Sequence, residues 1–416
     1  MDWQMFEWLY NIAMWSYERG AMLYGRYNRK ARQWSEGRRN IFERLRDAIP
    51  TDERIIWVHA ASLGEFEQGR PIIEELRHQH PEYKILLTFF SPSGYEIRKN
   101  YTGADYIFYL PIDRASYTKR FLDIVNPKVT IFIKYEFWLN YLTELHHRSI
   151  PTILVSAIFR RNSIFFRPWG GAWRRALGSF STLFVQNDES RLLLRELGVE
   201  NSVVAGDTRF DRVAAIARTA QQIPIVESFA KGGRLFVAGS TWAPDEELLI
   251  ELINDNPSIR FIVAPHELSE ERITHLAASV RGGVARYTQS SVESDFSHTQ
   301  LLILDTIGIL ASVYGYATWA YIGGGFGVGI HNTLEATTFG LPIAFGPAYH
   351  KFQEACDLIK QGAARSINSA AELKEWFTPL RDNELVREKA SRSAREYTEQ
   401  HCGATQKIMD KLSDLL

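Results

Sequence analysis

Two short stretches hold most of the residues whose type and spacing could do chemistry. The first is His59-Ala60-Ala61-Ser62-Leu63-Gly64-Glu65, directly after the apolar run Ile55 to Val58. Ser62 and Glu65 have the spacing of a capping box, in which the Ser oxygen accepts from the N3 amide and the carboxylate reaches back to the N-cap amide. A second reading stands beside it: at the end of a strand, Glu65 can act as general base toward an acceptor hydroxyl within hydrogen-bond reach. The other stretch has five glycines between Gly323 and Gly329, followed by Ile330-His331-Asn332-Thr333-Leu334-Glu335. Glycines let a backbone approach a ligand closely, and a helix start offers free amides and a positive dipole end to a phosphate. Asn332 and Glu335 repeat the capping spacing, which leaves the glycines unexplained. GxGxxG and GxxxxGK[ST] are both missing, so neither a Rossmann dinucleotide site nor a Walker site is indicated.

Smaller pieces flank these. Ser240 and Thr241 follow the run Leu235 to Ala238 and offer hydroxyl and amide donors, or a plain N-cap. His266, in Pro265-His266-Glu267, closes the next run, as a structural histidine or one turned to a ligand. Arg209, in Gly206-Asp207-Thr208-Arg209-Phe210-Asp211, could reach a phosphate or carboxylate through its guanidinium. Glu136, in Lys134-Tyr135-Glu136-Phe137-Trp138, is a second candidate catalytic carboxylate, or a surface charge among core aromatics. No Asp-x-Asp pair occurs, so an acidic clamp for a divalent metal is not visible, and leaving-group charge must be met by amides and cations. The two cysteines, Cys356 and Cys402, lack zinc or CxxC spacing and fit a reducing compartment. No metal site is expected.

The elements that must position these residues follow a βαβ rhythm. Strand runs are expected at Ile55 to Val58, Ile85 to Phe89, Tyr106 to Leu110, Val129 to Ile133 and Ile153 to Val155. A second set comprises Leu235 to Ala238, Phe261 to Ala264, Leu301 to Leu304, Trp319 to Ile322 and Ile343 to Phe345. Helical spacing fills Phe66 to His80, Leu139 to His147, Asp245 to Asn254 and the stretch from Asn383 to Leu416. Arg212 to Gly233 shows no strand and reads as a junction. The expectation is an α/β chain of two doubly wound domains facing each other, over 47–212 and 213–416, with ligands outside the carboxyl ends of the strands. The length of 416 residues suits two or three domains. With 45% hydrophobic and 23% charged residues the composition is that of an ordinary folded protein, and the net charge of −1 gives no nucleic-acid footprint.

That balance hides an uneven distribution. Residues 1–46 carry a net charge of +4, and from Arg19 to Arg46 nine basic residues face only Glu36 and Glu43. Upstream, Trp3, Phe6, Trp8, Leu9, Tyr10, Ile12, Met14, Trp15 and Tyr17 form an aromatic-rich segment. The uncharged stretch from Trp8 to Tyr17 is too short for a span, which needs about 20 residues. An aromatic helix followed by a polybasic run is the pattern of a monotopic anchor on an anionic leaflet; the alternative is an amphipathic helix packed on its own domain. A cleaved signal peptide fits poorly, because Asp2 and Glu7 replace its positive n-region.

In order along the chain, these segments resemble the Kdo transferases, which move 3-deoxy-D-manno-octulosonic acid (Kdo) from its CMP ester to a lipid A precursor. The resemblance rests on seven motifs: His59 to Glu65; Ser91-Pro92-Ser93-Gly94; Glu136-Phe137-Trp138-Leu139-Asn140; Gly206 to Asp211; Ala238-Gly239-Ser240-Thr241; Asp305-Thr306-Ile307-Gly308; and His331 to Glu335. It implies a GT-B fold, two Rossmann-like domains facing a central cleft with an N-terminal membrane-associating helix, and an inverting, metal-independent transferase without a cofactor. It implies Glu65 as catalytic base, with Glu136 as a second catalytic position. Arg209, Ser240, Thr241, His266, Gly329, His331, Asn332, Thr333 and Glu335 fall on donor-binding segments, and Ser91, Ser93 and Gly94 on the acceptor side. The implied partners are CMP-Kdo, a lipid A precursor and an anionic membrane surface at the cytoplasmic face of the bacterial inner membrane. Lys134, Arg209 and Ile330 depart from the family's usual residues. Two alternatives are an inverting GT-B transferase with another nucleotide-sugar donor, and a non-catalytic membrane-bound scaffold keeping the fold.

Overall fold

The computed structural model describes residues 3–416, with side chains from Met5 onward; Met1, Asp2 and the side chains of Trp3 and Gln4, which fell within the expected anchor, lie outside it. The chain forms two compact units, residues 1–211 with 403–416, and residues 212–402. Each holds one seven-stranded sheet whose paired strands are all parallel.

In the first unit the strands are β1 (Ile55–Ala60), β2 (Lys84–Phe89), β3 (Tyr106–Tyr109), β4 (Val129–Ile133), β5 (Thr152–Ala157), β6 (Thr182–Val185) and β7 (Ser202–Val204), in spatial order β3-β2-β1-β4-β5-β6-β7. Strands β1, β4 and β5 are buried at every position, as a parallel sheet covered by helices on both faces requires. The order reverses between β1 and β4. That reversal is a switch point, where the helices after the two strands pack on opposite faces and leave a crevice beyond the strand ends.

The second unit repeats the plan with β8 (Leu235–Thr241), β9 (Arg260–Pro265), β10 (Gly283–Arg286), β11 (Thr299–Ile303), β12 (Trp319–Ile322), β13 (Ile343–Phe345) and β14 (Ala364–Ser366), ordered β10-β11-β9-β8-β12-β13-β14. Its switch point lies between β8 and β12. The expected strands are all present, but β6, β7, β10 and β14 were not anticipated. Three of these are edge strands of three or four residues with partly exposed positions, so no continuous apolar run marks them.

Three expectations about organisation change. The stretch read as a junction is strand-free but holds two helices, Thr208–Arg218 and Pro224–Ala230, the second begun by Pro224. The strand expected to stop at Ala238 runs on to Thr241, because the β8–β9 register slips between Gly239 and Thr241, with Ser240 at φ +54°. The last 14 residues, assigned from sequence to the second domain, pack with the first unit: Ala404, Ile408, Met409 and Leu412 of the terminal helix enter the core beside β1 and β2.

The N-terminal helix Trp3–Tyr24 has two faces. Phe6 and Tyr10 pack on the core of the first unit, the Tyr10 hydroxyl donates to Asp113 at 2.7 Å, and Glu18 pairs with Arg114 at 3.1 Å. Asp113 also accepts from the amides of Asn140 and Tyr141; its burial pushes the carboxyl up to about 6. Trp8, Leu9, Ile12 and Trp15 on the opposite face are exposed. No helix among the described residues is long and apolar enough to cross a membrane.

Part of the basic run is structural. Arg38 lies over the rings of Trp34, Phe90 and Tyr109 at 4.0, 4.9 and 4.8 Å and donates to the carbonyls of Trp34, Phe90 and Leu110. Burial lowers its guanidinium to about 9. Arg32 and Arg44 likewise donate to the carbonyls of Gly25 and Gly37.

Candidate functional site

The switch point of the first unit collects the candidate carboxylates. Chain leaving β1 enters the helix Leu63–Gln79 through Ser62, whose extended backbone is that of an N-cap. The capping box is not made. Ser62 makes no side-chain cap bond, and its hydroxyl donates instead to the Glu65 carboxylate. Glu65 is half-buried in the first turn of a 17-residue helix.

Glu136 follows β4, the neighbour of β1. It is no surface charge: it is 7% exposed and accepts from His59 Nε2 at 3.0 Å and Trp138 Nε1 at 2.5 Å. His59, fully buried at the end of β1, is held from its other nitrogen by the Thr88 hydroxyl at 2.8 Å. Glu136 and Trp138 line a cavity of about 360 Å³ with Phe165 and Trp173. His59 thus bridges the two central strands at their carboxyl ends, a role that sequence reasoning did not assign it. A lone His closing an otherwise apolar run was the available signal.

Ser91 and Ser93 lie beyond β2. Ser91 caps the helix Pro92–Arg98 by accepting from the Ser93 amide at 3.2 Å, and the two hydroxyls are 3.0 Å apart. Gly94 packs against the Phe89 ring, which a Cβ would meet at 2.3 Å. The Ser91 amide donates to the Ala61 carbonyl at 2.7 Å, joining this loop to the one that carries Glu65. Arg209 also belongs to the first unit, separate in the chain's packing from the other expected donor residues; its guanidinium is held by Asp207 at 2.7 Å.

The switch point of the second unit gathers Ser240, Thr241, His266, Gly329, His331 and Asn332 around the ends of β8, β9 and β12. Thr241 is not available as a donor: it is fully buried, and its hydroxyl is spent on Glu246 at 2.9 Å. Ser240 stays half-buried, without a hydrogen-bond partner for its hydroxyl among the described residues. His266 is exposed and stacks between Trp242 and His331, with ring centroids 4.8 and 4.3 Å away. Trp242 Nε1 donates to His331 Nε2 at 3.1 Å, which leaves the imidazole proton on Nδ1. Burial, then the neighbouring His266, lowers the His331 pKa, so the ring is neutral at physiological pH.

Asp245 organises this end of the sheet. Fully buried, it accepts from the Tyr321 hydroxyl at 2.7 Å, the Trp242 amide at 2.8 Å and the Gly324 amide at 2.9 Å. Sequence reasoning missed both Trp242 and Asp245; an acid three residues after a strand-end aromatic, at a helix start, was the only clue. The glycine run is explained in part by packing. A Cβ on Gly323 would lie 2.2 Å from the Ser240 carbonyl oxygen, and Gly329 sits at φ +153° against the Phe352 ring.

Beyond the glycines the expected helix is a single turn, Leu334–Thr337, and the second capping box is not made either. Asn332 accepts from the Leu334 amide at 3.1 Å and donates to Glu335 at 3.0 Å. Thr333 is 1% exposed, with its hydroxyl unpartnered among the described residues. Burial raises the Glu335 carboxyl above the ordinary range, opposed by Asn332 and then Arg212. Among the described residues no group of three or more His, Cys, Asp or Glu side chains is gathered so as to hold a metal ion.

Two parallel doubly wound α/β units with polar residues at both switch points define the GT-B class of fold. UDP-GlcNAc 2-epimerase from Neisseria meningitidis, solved bound to UDP-GlcNAc, shares it at a TM-score of 0.61 and 14% identity, covering 87% of this chain and 100% of that one. Residues 36–212 match the profile of the 3-deoxy-D-manno-octulosonic-acid transferase (kdotransferase) family. The chain is 28% identical over 379 residues to the 3-deoxy-D-manno-octulosonic acid transferase of Bordetella pertussis, covering 87% of each. It is 27% identical over 343 residues to that of Aquifex aeolicus, covering 80% of this chain and 88% of the other. Over most of its length the chain is thus similar to these Kdo transferases, which are glycosyltransferases.

Proposed function

We propose that this chain transfers Kdo from CMP-Kdo to a lipid A precursor by one displacement with inversion, without a metal, and with Glu65 as general base. The observation that carries the reading is the Glu65 carboxylate, half-buried at a switch point, with a single hydroxyl as its hydrogen-bond donor among the described residues. A carboxylate so placed keeps lone pairs for a second hydroxyl. An acceptor O–H gives its proton to Glu65 as its oxygen forms the bond to the anomeric carbon; the anomeric C–O bond to CMP breaks, and the electron pair leaves with the phosphate.

Charge then grows on the departing phosphate, and donors preset for it count for more in the transition state than in the ground state. Ser240, the His331 Nδ1–H and Asn332 in the second unit supply that donor set. Glu136, fixed by His59 and Trp138, holds the end of β4 beside the end of β1. The exposed face of the N-terminal helix keeps the enzyme peripherally on the anionic cytoplasmic face of the bacterial inner membrane, where its acceptor resides. Glu65→Gln tests the reading: transfer by the purified enzyme is abolished while CMP affinity, measured by calorimetry, stays near normal. Unchanged turnover would remove Glu65 from the chemistry.

A further inference from the structure

A groove of about 510 Å³ runs between the N-terminal helix, the helix Arg29–Glu36 and the loop after β2. That is the size of a small-ligand site. Tyr17, Gly20 and Tyr24 line it from the first helix, Ala31 and Trp34 from the second, and Phe90 from the loop. Its floor is rigid: Trp34 meets Tyr17 and Phe90 edge-on at 5.6 and 5.8 Å, and the Arg38 guanidinium backs both Trp34 and Phe90. Gly20 keeps it open. A Cβ there would find nothing within 4 Å, so no close packing demands a glycine that weakens the helix.

The two ends of the groove differ in chemistry. At one end the Phe90 ring lies 4.7 Å from that of Trp138, the donor to Glu136, and Ser91 lines the groove while bonding to Ala61, next to Ser62. At the other, Lys30 lines the groove beside Arg26 and Arg29; all three are exposed and none has an ion-pair partner among the described residues. An apolar slot with a cationic mouth, reaching toward a carboxylate loop, matches an acyl chain attached to a phosphorylated sugar.

We propose that this groove holds one acyl chain of the acceptor, with Lys30 meeting an acceptor phosphate; the assignment rests on the lipid acceptor proposed above. The groove thereby selects acylated over bare sugar acceptors, a role separate from that of the outward stripe Trp8, Leu9, Ile12 and Trp15. Gly20→Phe places a ring in the open space. With the purified full-length variant and CMP-Kdo as donor, the ratio of KM for the acylated lipid A precursor to KM for its deacylated disaccharide rises roughly tenfold or more, the loss expected when even two methylenes are displaced. An unchanged ratio overturns the groove assignment.

A second measurement uses the wild-type chain. An acceptor with a diazirine at an acyl terminus labels peptides spanning 17–34 and 90–92. Label confined to 5–15 overturns the proposal, as does labelling of the groove by a diazirine phosphatidylglycerol in vesicles that added acceptor does not reduce. Wild-type inactivity on both acceptors sinks the transfer reading instead, leaving the labelling to decide the groove.

Discussion

After β1, a serine precedes a glutamate by three residues; after β12 and its glycine run, an asparagine precedes a glutamate by the same interval. Each motif sits at the switch point of its own sheet and each has the spacing of a capping box, yet neither box forms. In the first unit the helix that follows is 17 residues long, and its serine turns to the carboxylate, leaving Glu65 half-buried with one neutral donor among the described residues. In the second the helix is one turn long, and Glu335 is held by the Asn332 amide while burial raises its proton affinity. A capping signature at a strand end therefore says where a carboxylate lies and not what it does. Its remaining partners decide whether it can take a proton or serves to hold a loop.

The contrast is tested most severely by paired substitutions. Glu65→Gln is expected to lower kcat by about 10²- to 10⁴-fold, the usual worth of a general base, with CMP affinity within about twofold of wild type. Glu335→Gln is expected to weaken CMP binding by roughly tenfold while kcat falls less, because its effect passes through the Asn332 loop. Parallel losses in both variants, read from kcat and CMP titrations, would dissolve the distinction. The raised carboxyl adds a stability test. A group with a raised native pKa contributes stability that is lost as pH rises from the ordinary Glu value through the shifted one, and Glu335→Gln should flatten that part of the profile.

Asp245→Ala comes next in size. It leaves the part-buried Trp242 amide, the buried Gly324 amide and the Tyr321 hydroxyl without their acceptor, and should cost about 2–5 kcal/mol in chemical denaturation. Thr241→Val is smaller. Because its hydroxyl is turned to Glu246, the change should lower stability by about 1–2 kcal/mol and leave CMP affinity unaltered; a selective loss of CMP binding would return Thr241 to the donor site.

Ser62→Ala should have the smallest effect and separates capping from positioning. Removing the hydroxyl that holds the Glu65 carboxylate should lower kcat by less than about tenfold and leave stability near that of the wild type. An unchanged kcat with about 1 kcal/mol of lost stability would instead restore the cap.

Local pattern was enough to locate most of the fold and the loops of the candidate site. Continuous apolar runs marked all the inner strands but β6, since a strand buried on both faces must be apolar throughout, and the polar residues interrupting those runs fall at the strand ends. Tertiary contacts decided the rest. The His59–Glu136 pair joins residues 77 apart and the Tyr321–Asp245 bond residues 76 apart, while the terminal helix reaches back to the core beside β1. Short-range periodicity records which face of an element is apolar, whereas the partner of a buried polar group depends on which strands become neighbours. Glu136 was buried for that reason, its partner brought by the assembled sheet, whereas Ser62, Asn332 and Thr241 turned to carboxylates within a turn or so of the chain, a choice that local spacing left open between cap and side-chain partner.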